Sequence, residues 1–251
     1  MTRIEAVDLF CGVGGLTSGL QAAGVKVHAG YDIDPDCEYP YVANNGAKFI
    51  CKSIAELSAS DIKSWFSPGA VRLLAGCAPC QPFSTLANSA NTRDENKWGL
   101  LGEFARLIRE VKPELVTMEN VPRVTNHEPY REFMATLSAL GYSVDARRIR
   151  CADLGIPQER RRFVLVASRL GEVNLMTPVC DLISVRDAIA SLPRLAAGET
   201  DHHDRLHKAR FLTPVNLKRI RASKPGGTWS DWPRKLRAPC HQVESGSSYK
   251  S

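Results

Sequence analysis

The 251-residue chain predicts an α/β protein: a largely parallel sheet with helices on both faces, then a smaller, irregular, basic second domain. Three observations carry this expectation. Short apolar runs alternate with segments of helical spacing about ten residues long, the signature of strands joined by crossover helices. The first such run ends in a cluster of glycines, as a strand does when it turns tightly into a helix. After Leu192 the texture changes to Pro, Gly, His and Arg without strong periodicity, which divides the chain into domains at 1–195 and 196–251.

The elements follow in order. Ile4–Phe10 is an apolar strand ending in Cys11-Gly12-Val13-Gly14-Gly15, and Leu16–Ala23 has helical spacing and stops at Gly24. Val25–Tyr31 resumes an extended pattern and ends at Asp32. Val71–Ala75 reads as a strand, Leu100–Val111 as a helix, Leu115–Met118 as a strand, and Tyr130–Leu140 as a helix ended by Gly141. Tyr142–Ile149 alternates, Phe163–Ala167 is a buried strand, and Ser184–Leu192 is read as the last helix.

Composition narrows the class. Hydrophobic residues make up 43% and charged residues 24%, enough apolar material for a sizeable core. No apolar run approaches the roughly 18 residues of a membrane helix, and Met1–Asp8 lacks a signal-peptide core, so the expectation is a cytoplasmic protein without a membrane partner. Eight cysteines spread over the chain are too dilute for a disulfide scaffold. The net charge of +6 conceals an asymmetry: residues 1–146 sum to −4 and residues 147–251 to +10. Arg205–Arg237 contains ten basic residues and one acid, Asp231, which suits either a polyanion partner or a solvated surface.

Four local patterns carry candidate chemistry. The glycines after Phe10 let backbone approach a ligand at a helix N-terminus, although Thr17 stands where a dinucleotide fingerprint has its third glycine. Asp32, twenty residues after Gly12, lies where α/β nucleotide folds place a carboxylate for ribose hydroxyls. The strand 71–75 runs into Gly76-Cys77-Ala78-Pro79-Cys80-Gln81-Pro82-Phe83-Ser84. A zinc site would want a second ligand pair at metal spacing, which Cys180, His202, His203, Cys240 and His241 do not supply, so no metal is expected. A redox pair would open a helix, which Pro82 disfavours, and a third reading makes Cys80 a nucleophile on a rigid loop. Glu119-Asn120-Val121-Pro122 ends a strand, where an acid can face the same crevice or merely cap a helix. In Gln158-Glu159-Arg160-Arg161-Arg162, Arg160 and Arg162 share a face of an extended segment, beside a core strand or on a basic surface turn.

Taken together, the ordered blocks Asp-Leu-Phe-x-Gly-x-Gly-Gly, Pro-Cys-Gln-Pro-Phe-Ser, Glu-Asn-Val and Gln-x-Arg-x-Arg resemble the cytosine-C5 DNA methyltransferase family over Asp8–Ala167. The resemblance implies a Rossmann-like S-adenosylmethionine-dependent sheet as the first domain and the start of a DNA target-recognition domain as the second. It implies S-adenosylmethionine among Phe10, Gly12, Gly14, Gly15, Leu16, Asp32, Ile33, Ser53, Ile54 and Pro79, with Asp32 on the ribose and Ile33 against the adenine. It makes Cys80 the nucleophile, Glu119 the group holding cytosine N3, and Arg160 and Arg162 the groups near cytosine O2 and the thiolate. The implied partner is double-stranded DNA, with the target base flipped out, in a restriction-modification setting.

Two departures are visible. Family members have an acid near Ser53-Ile54 for the adenine amino group, where this chain offers only the Ser53 hydroxyl. Family members also continue past the recognition domain into motifs that close the cofactor pocket, whereas this sequence ends at Tyr249-Lys250-Ser251. The expectation is therefore a weakly active or inactive isolated chain, an incomplete second domain, or a second polypeptide supplying the closing motifs. A DNA-binding fragment without catalysis is the alternative from another functional class.

Overall fold

A computed structural model describes residues 3–79, 99–175 and 180–242. Seven strands form one sheet: β1 (Ile4–Leu9), β2 (Lys26–Asp32), β3 (Lys48–Cys51), β4 (Val71–Gly76), β5 (Leu115–Asn120), β6 (Ser143–Arg150) and β7 (Arg161–Ser168). Their order is β3-β2-β1-β4-β5-β7-β6. The five strands from β3 to β5 run parallel, and β7 is antiparallel to both β5 and β6. β7 thus slots between β5 and β6, a placement that the expectation of a largely parallel sheet did not specify.

Helices α1 (Gly15–Ala22) and α2 (Glu38–Asn45) cover one face. Helices α3 (Ala59–Lys63), α4 (Leu100–Val111) and α5 (Glu128–Ala139) cover the other. Alternation along β1 decides what each face receives. Val7 and Leu9 enter the main core with Phe104, Ile108, Phe133 and Leu165, while Ala6 packs with Val27 and Leu73 on the opposite side. The amphipathic α4 buries Leu101, Phe104, Ala105, Leu107, Ile108 and Val111, which recur at three- and four-residue spacing. The adjacent ends of the parallel strands are held in register, with Leu9 opposite both Tyr31 and Gly76, and Gly76 opposite Met118. Strand ends held flush in this way bring their following loops to one edge of the sheet, where open α/β sheets bind ligands.

The chain forms two compact units, Met1–Val185 and Arg186–Ser251. That division falls ten residues ahead of the expected boundary at 195/196, and helix α6 is only Val185–Ile189 where Ser184–Leu192 was read as helical. The second unit contains a helix that periodicity did not reveal, α7 (Pro214–Ala222), started by the Thr213 side chain accepting from Asn216 N with Pro214 in the first turn. Short 3₁₀ turns follow at Trp229–Asp231, Arg234–Leu236 and Pro239–His241. Two cations of the basic run hold these turns together. Arg219 donates from Nε to Leu236 O at 2.6 Å and lies over the Trp232 ring, and Arg237 donates to Trp232 O at 3.1 Å and lies over Trp229. Trp229 in turn stacks on His241 with ring centroids 4.3 Å apart. Among the described residues no helix is long and apolar enough to cross a membrane, and no group of three His, Cys, Asp or Glu side chains could hold a metal.

Candidate active site

The loop between β1 and α1 is bent by three left-handed residues, Phe10 (φ 57), Gly12 (φ 49) and Gly14 (φ 91). For a bulky side chain such as Phe10 that conformation is strained, and strain of this kind clusters at functional sites. The bend aims Gly12 N at Asp32 Oδ2, a hydrogen bond of 2.8 Å across twenty residues, while Asp32 Oδ1 accepts from Asp34 N at 3.1 Å. Each carboxylate oxygen has a second lone pair, so Asp32 can still accept hydrogen bonds from a ligand. A Cβ on Gly12 or Gly15 would meet nothing within 4 Å, so open space adjoins the loop. Ile33, next to Asp32, leaves 71% of its surface exposed, an apolar side chain without a covering partner in the first unit.

Beneath the loop lies a polar network that the sequence did not disclose. Thr17 Oγ1 donates to Asp8 Oδ2 at 2.7 Å and lies 3.0 Å from the Tyr41 hydroxyl. Asp8, Thr17 and Tyr41 are all fully buried, and Asp8 Oδ1 has no hydrogen-bond partner among the described residues. Burial pushes the Asp8 carboxyl up to about 7, helped by the nearby charge of Asp32 and opposed by the Thr17 hydrogen bonds. Gly14 belongs to this interior: a Cβ there would meet Asn45 Nδ2 at 2.2 Å and Tyr41 Cδ2 at 2.9 Å, so the residue admits α2 rather than facing the open space.

The other expected contacts distribute unevenly. Phe10 and Leu16 are half-buried, and Ser53 is half-buried at the start of a 3₁₀ turn without a capping side-chain bond. Ile54 is 3% exposed and packs in the main core beside Leu57 and Ile62. Pro79 is half-buried after β4. Cys80 lies outside the described residues, but Cys77 and Ala78, just before it, lie against the end of β5. The Cys77 thiol lies close enough to Glu119 for each to shift the other's titration, and Asn120 Nδ2 donates to Ala78 O at 3.1 Å. Burial, together with the Glu119 and Asp8 charges, pushes the Cys77 thiol far above its ordinary range, which disfavours its thiolate.

Arg162 Nε sits 2.5 Å from Glu119 Oε1, with both side chains mostly covered. β5 and β7 accomplish this by antiparallel pairing, Glu119 opposite Val164, which places Arg162 two residues along on the same face. Arg160 is exposed just before β7 begins and acts on Glu119 through its charge. Burial raises the Glu119 carboxyl above its ordinary value, against the nearby Cys77 thiol and the Arg160 charge. Two opposing influences therefore meet on this carboxyl: burial favours its protonated form, and the Arg162 guanidinium beside it favours the ionised one. Sequence reasoning did not single out Asn120, Cys77 or Tyr41. Asn120 was within reach, since it adjoins Glu119 in the Glu-Asn-Val block.

The fold is that of α/β methyltransferases. It superposes on a prophage-encoded protein of E. coli assigned as a DNA modification methyltransferase, with a TM-score of 0.68 at 23% identity, covering 92% of this chain and 66% of that one. It also superposes on the S. pombe Dnmt2 methyltransferase, with a TM-score of 0.56 at 21% identity over 75% of this chain and 54% of that one. The family model for C-5 cytosine-specific DNA methylases matches residues 4–249, and the chain belongs to that family. It is 45% identical to the type II methylase M.HgiDII of Herpetosiphon aurantiacus, covering 98% of this chain and 70% of the relative. It is 32% identical to the type II methyltransferase M.XorII of Xanthomonas oryzae, covering 77% of this chain and 47% of that relative.

Proposed function

We propose that this chain carries the catalytic machinery of a DNA (cytosine-5-)-methyltransferase of restriction-modification type, acting on a cytosine flipped out of duplex DNA. The observation that carries the reading is the Arg162–Glu119 pair, 2.5 Å apart, beside the segment that delivers Cys80. S-adenosylmethionine, when bound, supplies a methyl group on a sulfonium. The residues present suit it: open space at Gly12 and Gly15, free acceptor capacity on Asp32 for ribose hydroxyls, and an uncovered Ile33 for an adenine face.

Cytosine C5 is too weak a nucleophile to take a methyl from a sulfonium unaided. In the proposed reaction the Cys80 thiolate forms a bond to C6, and the C5=C6 electron pair becomes available at C5 as Glu119 gives its proton to N3. Arg162 holds that carboxyl in place and, with Arg160, offers donors towards O2. After C5 gains the methyl group it loses its proton to a base. The electrons re-form C5=C6, the C6–S bond breaks, and Cys80 leaves as thiolate. Glu119 then takes its proton back from N3. A base inside the duplex cannot be reached in this geometry, which is why extrusion is part of the reading.

The test is covalent trapping. A duplex bearing 5-fluorocytosine at the target position cannot lose a proton from C5, so the adduct stalls. Incubated with S-adenosylmethionine, the unaltered chain is expected to give a denaturation-resistant protein–DNA band that Cys80→Ala abolishes. Duplex binding with no such band would favour the DNA-binding fragment over the enzyme.

A further inference from the structure

Two charged groups at the end of the sheet are not used by the mechanism above. β6 and β7 pair with Arg150 opposite Arg161 and Arg148 opposite Phe163. Strand alternation therefore puts Arg148, Arg150 and Arg161 on one face of the sheet and Arg162, with Glu119, on the other. Like charges directly opposite on antiparallel strands repel. Direct carboxylate bonds go to one member of the cluster: Glu159 takes Arg150 through two bonds of 2.7 and 2.5 Å, and Asp153 takes it at 3.3 Å, while Arg161 meets Glu159 only through its charge. Arg148 and Arg161 are exposed and have no hydrogen-bonded carboxylate partner among the described residues, although Arg148 reaches Thr125 Oγ1 at 3.4 Å.

These guanidiniums line a concavity of about 290 Å³ together with Pro122, Ile149 and Asp153, whose carboxylate is engaged by Arg150. Pro122 follows Glu119 by three residues, so the concavity adjoins the end of β5 that carries the catalytic carboxyl. Among the described residues β6 is the outermost strand of the sheet. We infer that Arg148 and Arg161 form a docking surface for backbone phosphates of the duplex flanking the flipped cytosine. The inference rests on the function proposed above. The planar fork of arginine suits a phosphate, and phosphate contacts position a duplex without reading its sequence.

The experiment is duplex binding by the full chain, followed by fluorescence anisotropy from 50 to 200 mM KCl on two unrelated 20-base-pair duplexes. Each phosphate contact contributes about 0.9 to the slope of log affinity against log salt. The double variant Arg148→Gln/Arg161→Gln is expected to lower that slope by about 1.8 on both duplexes. The ratio of unaltered to variant affinity is then about 12-fold greater at 50 mM than at 200 mM. Arg148→Lys/Arg161→Lys should keep the slope, and each single glutamine variant should lower it by about 0.9, which carries the test if the double variant misfolds. An unchanged slope in the glutamine variants, with Cys80 trapping intact, overturns this surface and leaves the enzyme reading standing. A reduced slope without any Cys80 adduct supports the surface and removes the enzyme reading. Absence of salt-dependent duplex binding by the unaltered chain overturns both.

Discussion

The Asp8 carboxyl offers the sharpest link between the buried network and a solution measurement. Its ordinary value is 3.8 and burial raises it to about 7 in the folded protein. In the unfolded chain the group ionises near pH 4, so from there upward unfolding releases a proton that folding retains. A raised folded value means that stability is fully present below the unfolded value and is lost as pH rises towards 7. The full shift is worth about 4 kcal/mol, at about 1.4 kcal/mol per unit, and about 2.5 kcal/mol of it falls between pH 5 and 8. Asp8→Asn cannot ionise, but its amide would place a buried N–H₂ where Oδ1 already lacks a partner among the described residues, at a cost of about 1–3 kcal/mol. The variant is expected to be less stable than the parent at pH 5 and to draw level with or pass it at pH 8. Urea unfolding followed by tryptophan fluorescence at fixed ionic strength, from pH 5 to 8, measures the difference. Glu119 is raised too and titrates in the same direction, but it is present in both proteins and cancels. A variant–parent difference that stays constant over this range would refute the assignment of a neutral, buried Asp8.

Three further outcomes are expected. Glu119→Gln should lower methyl transfer by about 10²–10⁴-fold in a single-turnover assay if the proposed role at N3 is right. Gly30→Ala would place a Cβ 2.5 Å from the Tyr41 hydroxyl and 2.7 Å from Cys11 Sγ, both buried, and should cost about 1–3 kcal/mol in denaturant unfolding. Glu114 is held by Arg72 through Nε at 2.9 Å and the guanidinium end at 2.7 Å, which lowers its carboxyl to about 2. That stability is present above pH 4.5 and lost as pH falls towards 2. Glu114→Gln should remove about 2 kcal/mol at pH 7, after allowance for solvent screening, and little at pH 2 by thermal melting.

Much of the architecture was legible because it is written locally. The glycines after Phe10, the stop at Gly24 and the apolar spacing of Leu100–Val111 each act on the backbone within a few residues, and the observed elements follow them closely. The helix Pro214–Ala222 escaped because its exposed, polar face carries no apolar period, although Thr213-Pro214 is a capping signal. The basic run after Arg205 was legible as charge but not as roles. Arg219 and Arg237 prove to be internal ties over tryptophan rings, a use that composition cannot distinguish from a phosphate contact.

The chain's order of amino acids alone determined the alternation of strands and helices, the four chemical blocks and the family they resemble. It did so because periodicity, turn chemistry and motif spacing are short-range properties. Only tertiary structure decided that β7 enters between β5 and β6, and that insertion sets Arg162 against Glu119 and puts Arg148 and Arg161 on the opposite face. It also decided that Tyr41 and Asn45 occupy the space opened by Gly14, which places a buried hydroxyl under the loop. Those pairings join residues tens of positions apart, and the packing energy that selects them arises only when the whole sheet has formed.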